Sequence, residues 1–118
     1  MFNDKRRGDV YWLSAPDPKP GSYLIGKSRP VLIVSSDRVN NSSHTVTVCP
    51  LTSSPEQLLR GDGVYDMVLL AGYTDTPSMA LPRQIRTVDT HDLTNYCYTL
   101  TNADMSRVDN ALFRALGL

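Results

Sequence analysis

Thr45-Val46-Thr47-Val48-Cys49 alternates polar and apolar positions, the period-two pattern of a strand with one face in a core. Val10-Tyr11-Trp12-Leu13 is built of β-branched and aromatic residues that suit a pleated, half-buried surface. Val31 to Val34 is continuously apolar, as in a strand covered on both faces. Met67-Val68-Leu69-Leu70, bounded by Gly61, Gly63 and Gly72, is a fourth strand, and Ser78 to Leu81, Gln84 to Val88 and Asn95 to Thr99 are shorter ones. Between the first two, Pro16, Pro18, Pro20 and Gly21 forbid regular structure and predict a long loop to about Ser28. Asn40-Asn41-Ser42-Ser43 reads as a turn. Pro50 is expected to end the strand before it, because it has no N–H to give a ladder.

The period changes near the end of the chain. Met105, Val108, Leu112 and Leu116 recur at three- and four-residue spacing, with Arg107, Asp109 and Arg114 off that face. Thr101 with Asp104 fits an N-terminal capping pair, and Gly117 supplies a C-terminal stop. Short strands followed by one amphipathic helix predict a mainly β, α+β fold: a small, strongly curved antiparallel barrel with the helix packed on it.

Length and charge narrow this further. A chain of 118 residues fits one domain spanning 1–118, large enough for a single core. Twelve acidic and twelve basic side chains balance, so there is no global footprint for nucleic acid. Local patches remain in Lys5-Arg6-Arg7, Lys27 with Arg29, and Arg83 with Arg86, if folding gathers them. Cys49 and Cys97 lie in apolar or aromatic strand-like runs and are expected to be buried free thiols. No apolar run approaches the roughly 20 residues that span a membrane. The charged start has no apolar segment behind it, so a cytoplasmic, soluble protein is expected.

The candidate chemistry centres on Gly26-Lys27-Ser28-Arg29-Pro30-Val31. Pro30 pushes the residue before it towards extended geometry, which holds Arg29 at the mouth of a sheet. Its guanidinium is always charged and presents a planar fork that suits phosphate or carboxylate. Two readings stand: a structural ion pair, with Asp9 as partner, or a clamp on a substrate anion. Thr52, just past Pro50, has two as well: a turn threonine, or a hydroxyl that bonds phosphate or relays a proton. His44 and His91 read as solvated surface residues, and no His/Cys/Asp cluster has metal-ligand spacing. No glycine-rich loop leads into a helix, so neither metal nor nucleotide cofactor is expected. RNA can still be cut, because its own 2′-hydroxyl attacks the neighbouring phosphorus. The protein must then orient the backbone, move protons and stabilise charge.

The blocks Arg7-Gly8-Asp9-Val10-Tyr11-Trp12, the Arg29 segment, Val48-Cys49-Pro50-Leu51-Thr52-Ser53, Gln84-Ile85-Arg86-Thr87-Val88-Asp89 and Leu100 to Leu118 closely resemble, in order and spacing, the MazF/PemK family of bacterial toxin endoribonucleases. The resemblance covers nearly the whole chain and is weakest between Ser53 and Thr76. It implies an SH3-like barrel of the CcdB/PemK type, usually a homodimer. It also implies metal-independent, sequence-specific cleavage of single-stranded mRNA, leaving 2′,3′-cyclic phosphate and 5′-hydroxyl ends. A cognate MazE-like antitoxin is implied, with a flexible tail in the RNA groove and any DNA contact made only through that antitoxin. Arg29 and Thr52 match the family's catalytic arginine and threonine. Lys27, Ser28 and Ser53 flank them as RNA-binding candidates.

Gln84 and Arg86 match the Gln-Ile-Arg block and are RNA-binding candidates too, with a structural pairing of Arg86 to Asp89 left open. Ile85 and Val88 cannot both face one core, so a bend or two-sided burial is expected there. Many family members carry an acid after the Gly-Ser of the first loop, where this chain has Tyr23. Tyr23 either stacks on an unpaired base or packs the loop. A non-nucleolytic toxin of the CcdB type, acting through protein contacts with gyrase or antitoxin, is the rival reading.

Overall fold

The computed structural model describes residues 4–16, 19–22, 28–54 and 66–118. Among these residues seven strands form one antiparallel sheet: β1 (Asp9–Leu13), β2 (Arg29–Ile33), β3 (Thr45–Thr52), β4 (Val68–Leu70), β5 (Ser78–Ala80), β6 (Arg86–Asp89) and β7 (Leu93–Thr99). A one-turn helix, α1 (Asp37–Asn40), follows β2, and a fifteen-residue helix, α2 (Asn102–Leu116), follows β7. The strands run in the order β4-β5-β3-β2-β1-β7, with β6 also on β3. This is the α+β fold expected, with the barrel left open: among the described residues no ladder joins β7 to β6 or β4.

Both faces of β2 are buried, which explains its unbroken apolar run. Leu32 joins Val10, Cys49, Leu51, Ala80 and the α2 residues Met105, Val108 and Ala111 in one cluster. Val31 and Ile33 point the other way, into a second cluster with Tyr11, Leu13, Val46, Val48 and Leu93. Ile85 packs on the first cluster and Val88 on the second, so the expected two-sided burial holds.

Pro50 does not end β3; the strand runs on through Leu51 and Thr52. One edge of β3 pairs β2, while the other is shared between β6, opposite residues 45–48, and β5, opposite Leu51 and Thr52. The Pro50 carbonyl accepts from Leu81 N at 3.0 Å, so the proline nitrogen faces this shared edge as well. It falls where the 3₁₀ turn Pro82–Gln84 interrupts the ladder, and no bond is lost there.

The turn expected at Asn40 to Ser43 is preceded by α1, capped by the Ser36 side chain accepting from Val39 N. Asn40 is buried and tied to Ser35 through Ser35 Oγ→Asn40 Oδ1 and Asn40 Nδ2→Ser35 O. In α2 the capping reading holds: Thr101 Oγ1 accepts from Asp104 N at 3.1 Å. Gly117, at φ 71°, ends the helix in the left-handed region. The packed stripe is Met105, Val108 and Ala111, with Leu112 partly buried; Leu116 is 53 % exposed, beyond the packed cluster.

Cys97 is a correction. It is free, as expected, but exposed, whereas Cys49 is buried. The β1–β7 register runs Val10↔Tyr98 and then Tyr11↔Tyr96, so Cys97 is the extra residue of a bulge on an edge strand. No helix among the described residues is long and apolar enough to cross a membrane.

Candidate RNA-cleaving site

Strand register decides which side chains share a face. Val31 lies opposite Pro50 and Leu32 opposite Cys49, so extending the β2–β3 register by two residues sets Arg29 level with Thr52. By alternation both belong to the face that carries Val31, Ile33, Val46 and Val48. Arg86 pairs directly with Val48 and therefore stands on that face too. The sheet thus gathers Arg29, Thr52 and Arg86 around one buried apolar cluster.

Arg29 opens β2 opposite Leu13 and is half-buried. Burial pulls its pKa below the ordinary arginine value, and the nearby positive charge of Arg86 lowers it further. The group is charged at rest, so it can serve as an anion clamp and a proton donor but not as a resting base. Asp9 is not its partner. Leu13 is four steps along the strand from Asp9, about 13 Å, and the Asp9 carboxylate accepts from Thr99 Oγ1 at 2.7 Å. Nor does any ion pair among the described residues join Arg86 to Asp89. Two cations held near one another beside an apolar cluster are unfavourable alone and favourable around an anion.

Thr52 closes β3, is 6 % exposed, and accepts from Ser54 N at 3.1 Å. That bond is the turn role the sequence allowed. It occupies a lone pair and leaves the hydroxyl hydrogen to donate elsewhere. Turn residue and phosphate ligand are therefore compatible readings of one side chain.

The remaining candidates divide. Ser28, at the end of the first loop, is tied to its start: its Oγ accepts from Ala15 N at 3.2 Å and donates to Ala15 O at 3.4 Å. Its hydroxyl holds the approach to Arg29 in place. Ser53 is exposed beside Thr52. Gln84 lies in the 3₁₀ turn and not in β6, its N–H donating to Leu81 O at 3.0 Å. The alternation expected from Gln84 to Val88 therefore begins only at Arg86. Tyr23 and Lys27 lie outside the described residues.

Arg7-Gly8-Asp9 has its own structural account. Arg7 reaches Asp109 of α2 with both terminal nitrogens and the Val34 carbonyl with Nε. Gly8, at φ 93°, permits the turn before β1. This block braces the fold at the end of β1 away from Arg29.

Residues 6–116 match the family model described as PemK-like, MazF-like toxin of type II toxin-antitoxin system. The probable endoribonuclease MazF of Mycolicibacterium smegmatis is 36 % identical over 115 residues, covering 96 % of this chain and 97 % of that protein. Endoribonuclease MazF of Staphylococcus epidermidis is 37 % identical over 113 residues, covering 96 % and 92 %. Among solved structures, an endoribonuclease in complex with its cognate antitoxin, from a mycobacterial species, superposes with a TM-score of 0.75. Its identity is 25 %, with 98 % of this chain and 97 % of that one covered.

Proposed function

Because the chain belongs to the PemK-like, MazF-like toxin family of type II toxin-antitoxin systems and is an endoribonuclease, we propose that it cuts single-stranded messenger RNA by transesterification at Arg29 and Thr52. In this reaction the substrate's 2′-oxygen bonds to the adjacent phosphorus and the bond from phosphorus to the 5′-oxygen breaks. The 2′-hydroxyl loses a proton, and the departing 5′-oxygen gains one. A 2′,3′-cyclic phosphate and a 5′-hydroxyl result.

The observation that carries this reading is the pairing of Arg29 with a second cation, Arg86, on the face that holds Thr52. Charge on the non-bridging phosphate oxygens grows as the 2′-oxygen attacks, and a preset guanidinium is worth most where water is partly excluded. In our reading Arg29 clamps those oxygens and can hand a proton to the leaving group. The Thr52 hydroxyl donates to a phosphate oxygen while Ser54 N–H keeps it oriented. Arg86 binds the neighbouring backbone phosphate, and Gln84 and Ser53 line the path of the strand. With fixed guanidiniums supplying the positive charge, the reaction runs without a metal ion.

Residues 1–118 form one toxin domain in this account, working in the cytoplasm where its substrate is. The family relation supports a homodimer and a MazE-like antitoxin whose tail competes for the same cationic face. Any DNA contact is made through that antitoxin. The test is single-turnover cleavage of an unstructured RNA by wild type, Arg29→Ala and Thr52→Ala, with thermal melts to confirm folding. Each substitution is expected to slow cleavage at least 100-fold. Full activity in either variant refutes the assignment. A folded wild type that cuts no RNA and copurifies with gyrase supports the CcdB-type reading instead.

A further inference from the structure

Thr52 is held by less of the sheet than its neighbours. The β2–β3 pairing stops at Pro50, and beyond it only β5 pairs with β3, through Leu51↔Ala80 and Thr52↔Met79. β5 is three residues long and forms a hairpin with the equally short β4. Whatever fixes this hairpin fixes the backbone of Thr52.

Two side-chain ties anchor the hairpin to the first turns of α2, and both meet at Asp104. In the loop between β4 and β5, Tyr73 Oη donates to Asp104 Oδ2 at 2.6 Å and accepts from Thr101 N at 3.0 Å. Arg107 Nη1 donates to Asp104 Oδ1 at 3.1 Å and to the Leu69 carbonyl of β4 at 2.9 Å. The Tyr73 ring stacks on Tyr98 of β7, with centroids 4.8 Å apart and planes 15° from parallel. Ser78, the first residue of β5, lies close enough to the Tyr98 hydroxyl to favour its ionised form, against the burial that raises its pKa. A continuous chain of contacts therefore runs from the helix start through Tyr73, Tyr98 and Ser78 to Met79, which faces Thr52.

We propose that Tyr73 is a positioning residue for the cleavage reaction, acting through the β4–β5 hairpin to hold the Thr52 hydroxyl against the phosphate. The inference rests on the assignment of Thr52 to the reaction. Tyr73 itself touches neither Arg29 nor the phosphate in this account, so its loss should leave RNA affinity alone and slow the chemical step. A hydroxyl displaced by about 1 Å is enough to cost one to two orders of magnitude in rate.

The test uses Tyr73→Phe, which keeps the stacked ring and removes only the hydroxyl bonds, with Tyr96→Phe as a control for losing a tyrosine hydroxyl on β7. Single-turnover cleavage should fall about tenfold with KM unchanged. Amide hydrogen exchange should report the cause directly. The Ser54 N–H, which donates to Thr52 Oγ1, should exchange about tenfold faster, while Val31 and Leu32 in β2 stay protected. If Tyr73→Phe fails to fold, Asp104→Asn weakens the same ties with nearly the same shape and carries the same readouts. Unchanged Ser54 exchange, or an effect on KM equal to that on rate, overturns the inference. Thr52→Ala separates the two levels: full cleavage by that variant refutes the role of Thr52 itself. Loss of cleavage by Thr52→Ala with a normal Tyr73→Phe refutes only the role of Tyr73.

Discussion

Arg7→Ala should destabilise the protein without impairing cleavage by the molecules that remain folded. The Arg7 side chain makes three hydrogen bonds, with Nε to Val34 O at 3.1 Å, Nη1 to Asp109 Oδ2 at 3.3 Å, and Nη2 to Asp109 Oδ1. They tie the segment before β1 to the residue that follows β2 and to α2. Charge-assisted bonds contribute about 1.5–3 kcal/mol when well buried. Here the two side chains are 32 % and 36 % exposed, so solvent screening reduces the pair to about 1 kcal/mol. The bond to Val34 O adds about 1 kcal/mol, for a total of about 2 kcal/mol. At roughly 2.1 cal/mol/K per residue, 118 residues give an unfolding entropy of about 0.25 kcal/mol/K. The melting temperature should therefore fall by about 8 °C. A double-mutant cycle with Asp109→Ala, followed by thermal and urea unfolding, isolates the pair and should return a coupling near 1 kcal/mol. Cleavage per folded molecule should match wild type, because Arg7 lies beyond the end of β1 opposite to the one facing Arg29. A coupling below about 0.3 kcal/mol, or a cleavage defect in folded Arg7→Ala, refutes the division between a bracing arginine and a reacting one.

Arg86→Gln should weaken RNA binding several-fold and reduce the slope of log affinity against log salt by about 0.7, the loss of one phosphate contact on a single strand. Its folded state should be no less stable than wild type, since a like charge near Arg29 is removed; a fall in urea midpoint with an unchanged salt slope contradicts this. Burial pushes the Cys49 thiol up to about 12 from its ordinary 9. Its contribution to stability is therefore complete below about pH 9 and is lost as pH rises towards 12. Urea midpoints at pH 8 and pH 10 should show a decline that Cys49→Ala diminishes. In the same protein a thiol reagent should label Cys97 at once and Cys49 only on unfolding; two fast thiols in the native state contradict the core assignment.

Much of this was legible in the sequence because local and tertiary preferences agree. The alternation of Thr45 to Cys49 and the continuous run at Val31 both state how many faces are covered. The Thr101 cap and the Gly117 stop bound α2 as written. The misreadings arise where tertiary pairing overrides a local rule. Pro50 reads as a strand end, and only the hand-over from β6 to β5 shows why the missing N–H is harmless there. Cys97 reads as buried because its neighbours are tyrosines, yet a register slip against β1 turns it outward. The α1 turn is too short to have a period. In the site, Arg29 and Thr52 stand out by their flanking prolines, but their common face with Arg86 follows from pairing across three strands. The Tyr73–Asp104 tie joins residues 31 apart and leaves no local signal.

The most direct measurement is the chemistry of the new ends. An unstructured RNA is incubated with the purified protein in excess chelator, and the fragments are mapped and their termini identified. Cleavage that persists, with 2′,3′-cyclic phosphate on one fragment and 5′-hydroxyl on the other, is the result expected from 2′-oxygen attack at a guanidinium-clamped phosphate. Cleavage that stops on chelation, or that leaves 5′-phosphate ends, contradicts it, since an external nucleophile or a bound metal would then be doing what Arg29 and Thr52 are assigned.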